Sequence, residues 1–130
     1  MTRQRKLEDY MKTIYLLQRR GVARGADIAR ELNVSRPTVC KSLQELEREG
    51  YLSRLTDRSV ELTPKGMVIA REITDRNTCL FDLLVSLGIS EAVALKDACS
   101  MEHAISQESF CALVALGEWH ARRRQYPAAT

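Results

Sequence analysis

Aromatic residues are scarce, at 5% of the 130 positions, and only six glycines and three prolines interrupt the chain. That shortage excludes a strand-dominated architecture, so helices built from the abundant Leu, Ala, Glu and Arg should dominate. Long apolar runs are missing too: none approaches the roughly 20 residues that cross a bilayer. The opening Met-Thr-Arg-Gln-Arg-Lys leads into Leu-Glu-Asp rather than an apolar signal core. No membrane partner and a cytoplasmic location are the expectation. Close cysteine pairs are also absent. Cys40, Cys79, Cys99 and Cys111 lie too far apart for a zinc ribbon and make a poor disulfide framework, so they should be thiols in a reducing compartment.

What remains is 45% hydrophobic, enough for one compact domain or two small lobes, with a formal net charge of +3. The charge is uneven. Residues 1–50 hold eleven lysines and arginines against seven acidic residues, while the other 80 residues hold nine against ten. An anionic partner such as a phosphate backbone would suit the N-terminal part, although a solvated surface of this charge is common.

Leu7, Tyr10, Met11, Ile14 and Leu17 recur at three- and four-residue steps, which predicts an amphipathic helix from about Lys6 to Arg20, ended by Gly21. Ile28, Ala29 and Leu32 form the apolar face of a short second helix that Asn33-Val34 break. Ser35 then opens a third helix, with Pro37 in its first turn and Val39, Leu43 and Leu46 facing inward. This is the helix-turn-helix pattern, whose second member enters the major groove by its N-terminal end. Ser35, Arg36, Thr38, Lys41 and Gln44 are placed to reach phosphates or base edges, and Pro37 with Thr38 to touch thymine methyl groups. A plain helical hairpin would look similar, but strand-like runs follow at 51–55 and 60–62 around the polar turn Thr56-Asp57-Arg58-Ser59. A hairpin after a recognition helix is a wing, from which Arg58, and with it Arg54, would meet the backbone or minor groove.

Thr63-Pro64 starts a long helix along Met67, Ala70, Ile73, Leu80, Leu84 and Leu87, with Asn77 as a polar residue in that stripe, ending at Gly88. Ser90 caps a further helix to about Ala104, and Ser106 a last one with apolar Phe110, Leu113, Val114 and Leu116. The fold class is mainly α: a winged helix-turn-helix over 1–63, a helical metal-binding and dimerisation region over 64–124, and a frayed tail over 125–130.

Cys99, Glu102 and His103 stand at i, i+3 and i+4, so one helix face offers a thiolate, a carboxylate and an imidazole to a divalent ion. A further ligand would come from Asp9 or Glu8 of the first helix. The ordinary alternative is a surface Glu-His pair beside a buried cysteine.

Five segments carry a resemblance: Leu-Glu-Asp-Tyr-Met-Lys-Thr-Ile-Tyr at 7–15, Ile-Ala-Arg-Glu-Leu-Asn-Val-Ser-Arg-Pro-Thr-Val at 28–39, Asp-Arg-Ser at 57–59, Leu-Thr-Pro-Lys-Gly at 62–66 and Ala-Cys-Ser-Met-Glu-His at 98–103. In this order and spacing, from about Lys6 to Ser109, the chain resembles the diphtheria-toxin-repressor and manganese-transport-regulator family. The resemblance implies a metal-dependent repressor of metal-uptake genes that binds palindromic double-stranded DNA as a homodimer, in a short form without the additional C-terminal SH3-like domain. It implies one ion per subunit, iron(II) or manganese(II), with zinc(II) and cobalt(II) also compatible. Asp9 matches a ligand of the manganese branch, and Cys99, Glu102 and His103 match the main site of the iron branch. Departures argue against a second ion: Asn77 stands where the family often has histidine, Lys12 where the manganese branch has an acidic ligand, and Phe81 and Leu95 where the iron branch has polar ligands.

Three alternatives stay open. A metal-independent regulator could sense oxidation through Cys40 beside Lys41. A small metalloenzyme would need a pocket and an open coordination position, yet the chain has no Gly-rich phosphate loop, no His-Glu-x-x-His and only His120 besides His103, so no enzyme is expected. A dimeric adaptor with a vestigial reading head would fail to retain DNA at low salt.

Overall fold

The computed structural model describes residues 3–125, and the chain divides between Ile73 and Thr74 into two compact units. The first holds α1 (Arg3–Arg20), α2 (Gly25–Leu32), α3 (Arg36–Arg48), the strands β1 (Leu52–Arg54) and β2 (Val60–Leu62), and the start of α4 (Pro64–Ser86). The apolar steps of α1 bury Leu7, Tyr10, Met11 and Ile14 against Ile28 of α2 and Val39, Leu43 and Leu46 of α3. Each such aliphatic side chain stabilises the unit by about 1.5–3 kcal/mol relative to exposure. Helix α1 begins ahead of the expected Lys6, and Arg3 forms ion pairs with Glu45 of α3 and with Glu49, the residue after it, which holds down its first turn.

The turn between α2 and α3 follows the residues that announced it. Asn33 adopts the left-handed conformation (φ 54°, ψ 49°), a geometry its short polar side chain tolerates, and its amide donates back to Ala29 and Arg30. Ser35 then caps α3, its hydroxyl accepting from the Thr38 amide. Strands β1 and β2 pair antiparallel with Leu52 opposite Leu62 and Arg54 opposite Val60. Ala23, not expected in a strand, adds a bridge to Val60, whose amide donates to the Ala23 carbonyl at 2.9 Å.

The second unit contains the rest of α4, α5 (Glu91–Ala104) and α6 (Gln107–Gln125). The hydroxyl of Ser90 accepts from the Val93 amide at 3.4 Å and that of Ser106 from the Ser109 amide at 3.1 Å, so both expected caps form. Leu80, Leu83, Ala94, Ala98 and Phe110 are buried. Leu87, at the end of the apolar stripe, and Leu116, one of the apolar residues of the last helix, are 55% and 47% exposed. Leu87 falls past the last turn of α4, in the reversal completed by Gly88 at φ 95°. Between α4 and α6 lies an open cavity of about 410 Å³, lined by Leu80, Leu83, Leu113, Val114 and Gly117 with Cys79 on its wall. Helix α6 includes Gln125, the first residue of the expected tail, and 126–130 lie outside the described residues. No helix among the described residues is long and apolar enough to cross a membrane.

Candidate nucleic-acid interface and metal centre

Six of the seven expected DNA-reading residues lie on helix α3 or at its N-terminal cap. Arg36, Pro37, Lys41 and Gln44 are exposed, Ser35 is exposed at the cap, and Thr38 is half-buried. The Ser35 and Thr38 hydroxyls are 2.8 Å apart, so these two side chains brace each other as well as the helix start. Arg36 folds back over α2: a methyl group placed on Gly25 would stand 3.4 Å from its Nη2. Pro37 has no N–H and the Thr38 amide is taken by Ser35, so the exposed side chains of Arg36 and Lys41 make this an anion-attracting surface.

Arg58, the seventh, sits at the wing tip in the left-handed conformation (φ 69°), exposed, with its amide donating to the Leu55 carbonyl at 3.1 Å. Arg54 pairs with Glu47 of α3 at 3.4 Å, tying the wing to the recognition helix. Sequence reasoning missed Arg24, which donates to the Asp57 carbonyl at 3.1 Å and faces its carboxylate at 3.4 Å. Asp57 also accepts from the Ser59 hydroxyl and amide, and these bonds, the hydroxyl's first, hold its carboxyl below the usual carboxylate range.

Of the expected metal ligands, α5 brings Glu102 and His103 together. Oε1 of Glu102 is 3.2 Å from Nε2 of His103, with side chains 0% and 3% exposed. A carboxylate this deep is costly to ionise unless it is paired. Cys99 is half-buried one turn earlier, its sulfur accepting from Asn77 Nδ2 at 3.6 Å. Among the described residues, Cys99 is part of no metal-spaced group of three ligand atoms. Asp9 lies half-buried on α1 in the first unit, and its neighbour Glu8 accepts from Gln4 at 3.2 Å. Asn77, the polar residue of the α4 stripe, is thus hydrogen-bonded to the Cys99 sulfur. The oxygen, nitrogen and sulfur donors of α5 suit a divalent transition ion. His120, the other histidine, is half-buried with Nε2 3.3 Å from the Ser86 carbonyl.

Comparison with known proteins places both halves in one family. Residues 4–60 match the family model "Iron dependent repressor, N-terminal DNA binding domain", and residues 63–119 match "Iron dependent repressor, metal binding and dimerisation domain". The transcriptional regulator MntR of Salmonella typhimurium is 38% identical over 119 residues, spanning 91% of this chain and 76% of its own. MntR of Escherichia coli O157:H7 is 34% identical over 122 residues, covering 93% of this chain and 79% of that protein. Among solved structures, a manganese-dependent transcriptional repressor in complex with manganese superimposes with a TM-score of 0.79 at 25% identity, over 86% of this chain and 52% of that one. T. acidophilum IdeR gives 0.72 at 27% identity, over 88% of this chain and 53% of that one, so the chain spans about half of either structure. The chain therefore belongs to the iron-dependent-repressor family that includes MntR and IdeR, metal-dependent regulators of transcription with a DNA-binding and a dimerisation domain, and not enzymes.

Proposed function

We propose that the chain represses metal-homeostasis genes as a homodimer on a palindromic operator, holding one iron(II) or manganese(II) ion per subunit through Asp9, Cys99, Glu102 and His103. Residues 1–63 read DNA in this proposal and 64–124 bind metal and the second subunit. Ser35, Arg36, Pro37, Thr38, Lys41 and Gln44 face the major groove, and Arg58 the neighbouring backbone. The observation that carries the reading is the buried Glu102–His103 pair within the half that matches a metal-binding and dimerisation domain. Cys99 joins them by its spacing on α5, and Asp9 by its resemblance to a manganese-branch ligand.

When bound, the ion supplies a positive charge that the Glu102 and Asp9 carboxylates share. Asp9 belongs to the helix that opens the DNA-reading half, whereas Glu102 and His103 belong to the dimerisation half. Ligands drawn from both halves make metal affinity depend on their arrangement, and occupancy can favour DNA binding only by that difference in affinity. Titrating manganese(II) into wild type and a Glu102→Ala, His103→Ala double variant tests this, with operator retention as readout. Metal should promote binding in the wild type alone. Equal retention by both proteins, with and without metal, would refute the proposal.

A further inference from the structure

No sequence pattern singles out Arg76 of α4, yet its guanidinium meets three parts of the second unit at once. Nη2 donates to Oε1 of Gln107 at 2.6 Å, while Nη1 faces the main-chain carbonyls of Glu102 at 3.5 Å and Ile105 at 3.4 Å. The same group lies 5.6 Å from the centre of the Phe110 ring. Two of these contacts fall where α5 has run out of partners of its own. The Ile105 amide closes the last turn onto Met101, and Ile105 then turns extended at φ −83°, ψ 139°. In a continuing helix the Glu102 carbonyl would accept from Ser106; here the chain has left the helical path, and Arg76 faces that carbonyl instead.

We propose that Arg76 is a positioning residue for the metal centre, fixing the main chain of Glu102 so that its carboxylate and the adjacent imidazole of His103 are held ready for the ion. The inference rests on the reading of Glu102 and His103 as ligands. The last turn of a helix frays unless its carbonyls are satisfied, and ligand atoms must be held within about 0.5 Å to bind well. One planar guanidinium addresses the two carbonyls and the Gln107 side chain together. A lysine in its place offers a compact point charge that cannot span them.

The test is manganese(II) binding by the full chain, followed through loss of the free-ion electron paramagnetic resonance signal, in wild type, Arg76→Lys, Arg76→Met and Glu102→Gln. Arg76→Met keeps the apolar stem and should raise the dissociation constant about tenfold, with Arg76→Lys between it and wild type. Glu102→Gln should lose more. Thermal unfolding of the metal-free proteins separates the alternatives, because a merely structural role would lower the midpoint and leave affinity unchanged at a temperature where every variant is folded. Affinity of Arg76→Met within about twofold of wild type, while Glu102→Gln is impaired, overturns the positioning role. Wild-type affinity in Glu102→Gln overturns the ligand reading itself. Should Arg76→Met fail to fold, Arg76→Lys and Gln107→Ala take its place, and unchanged affinity in both overturns the proposal.

Discussion

Arg24 holds Asp57 at two points, donating to its main-chain carbonyl at 3.1 Å and facing its carboxylate at 3.4 Å. The contact ties the segment before α2 to the wing turn, beside the bridge from Ala23 to Val60. Both side chains are about half exposed, so the pair contributes little to global stability and acts chiefly on where the wing points. Arg24→Ala should leave the thermal midpoint nearly unchanged and lower operator affinity by no more than about fivefold. Parallel melting and DNA-binding curves check both parts, and a large fall in the midpoint would show that the brace carries the fold.

The pH response of the wing follows from the same carboxylate. Hydrogen bonds from the Ser59 hydroxyl and amide lower the Asp57 pKa from its ordinary 3.8. A carboxyl depressed in the folded state contributes stability above its unfolded value, and loses it as pH falls through the lower folded value. The wing turn should therefore hold together through neutral and mildly acidic solution and loosen only below the ordinary carboxylate range. Carbon-detected NMR titration should place the Asp57 midpoint under 3.8 in wild type and move it upward in Ser59→Ala. An unmoved midpoint would remove the hydroxyl as the leading cause.

Gly66, in the Leu-Thr-Pro-Lys-Gly segment, is fixed by space rather than by backbone angle. A methyl group there would stand 2.3 Å from the Tyr51 carbonyl oxygen, a main-chain atom, and 3.2 Å from a Leu62 methyl. The neighbouring contacts leave little slack: the Thr63 amide donates to that same Tyr51 carbonyl, and Lys65 donates to the Glu49 carbonyl. Gly66→Ala should destabilise the first unit by about 1–3 kcal/mol, as overpacking does. Urea unfolding measures it, and a neutral result would mean that α4 can shift away from Tyr51 without cost.

Legibility tracked sequence distance. The apolar steps of α1, the Ser35, Ser90 and Ser106 caps and the polar turn at 56–59 are local signals, and each forms the element it announces. Arg24, Ala23 and Arg76 act on partners from 26 to 37 positions away, and no local pattern encodes such a pairing. The exposure of Leu87 and Leu116 has another reason. Periodicity reports an apolar face without saying whether this chain or a second copy covers it, and both lie at or inside the residues that match a dimerisation domain. The candidate ligands Cys99, Glu102 and His103 can be read from the sequence as types and spacing. The side-chain directions that pair His103 with Glu102 and Asn77 with Cys99 are settled by packing.

Arg58 separates phosphate contact from base reading. Its side chain is exposed at the tip of a turn, and the main chain alone fixes its place. Arg58→Ala should weaken binding to operator and unrelated DNA alike, and should reduce the slope of log affinity against log salt by about one. Loss confined to the operator would instead make Arg58 a base-reading residue.

Reactivity of the thiols decides how far oxidation could compete with metal as a signal. Cys79 has its pKa raised from the ordinary 9.0, first by burial and then by the negative charges of Asp75, Asp82 and Glu118. Because the thiolate is the reacting form, Cys79 should alkylate slowly at neutral pH, with a midpoint above 9.0. Peptide mapping of iodoacetamide-treated protein across pH measures it. Asp82→Asn with Glu118→Gln should lower that midpoint only in part, since burial is the larger cause. Cys40 is exposed as Cys79 is, but it stands on α3 beside Lys41, where an oxidised sulfur would meet DNA. If peroxide abolishes operator binding in wild type and equally in Cys40→Ser, the recognition-helix thiol is not the sensor, and a Cys79 that labels only at high pH is a poor substitute.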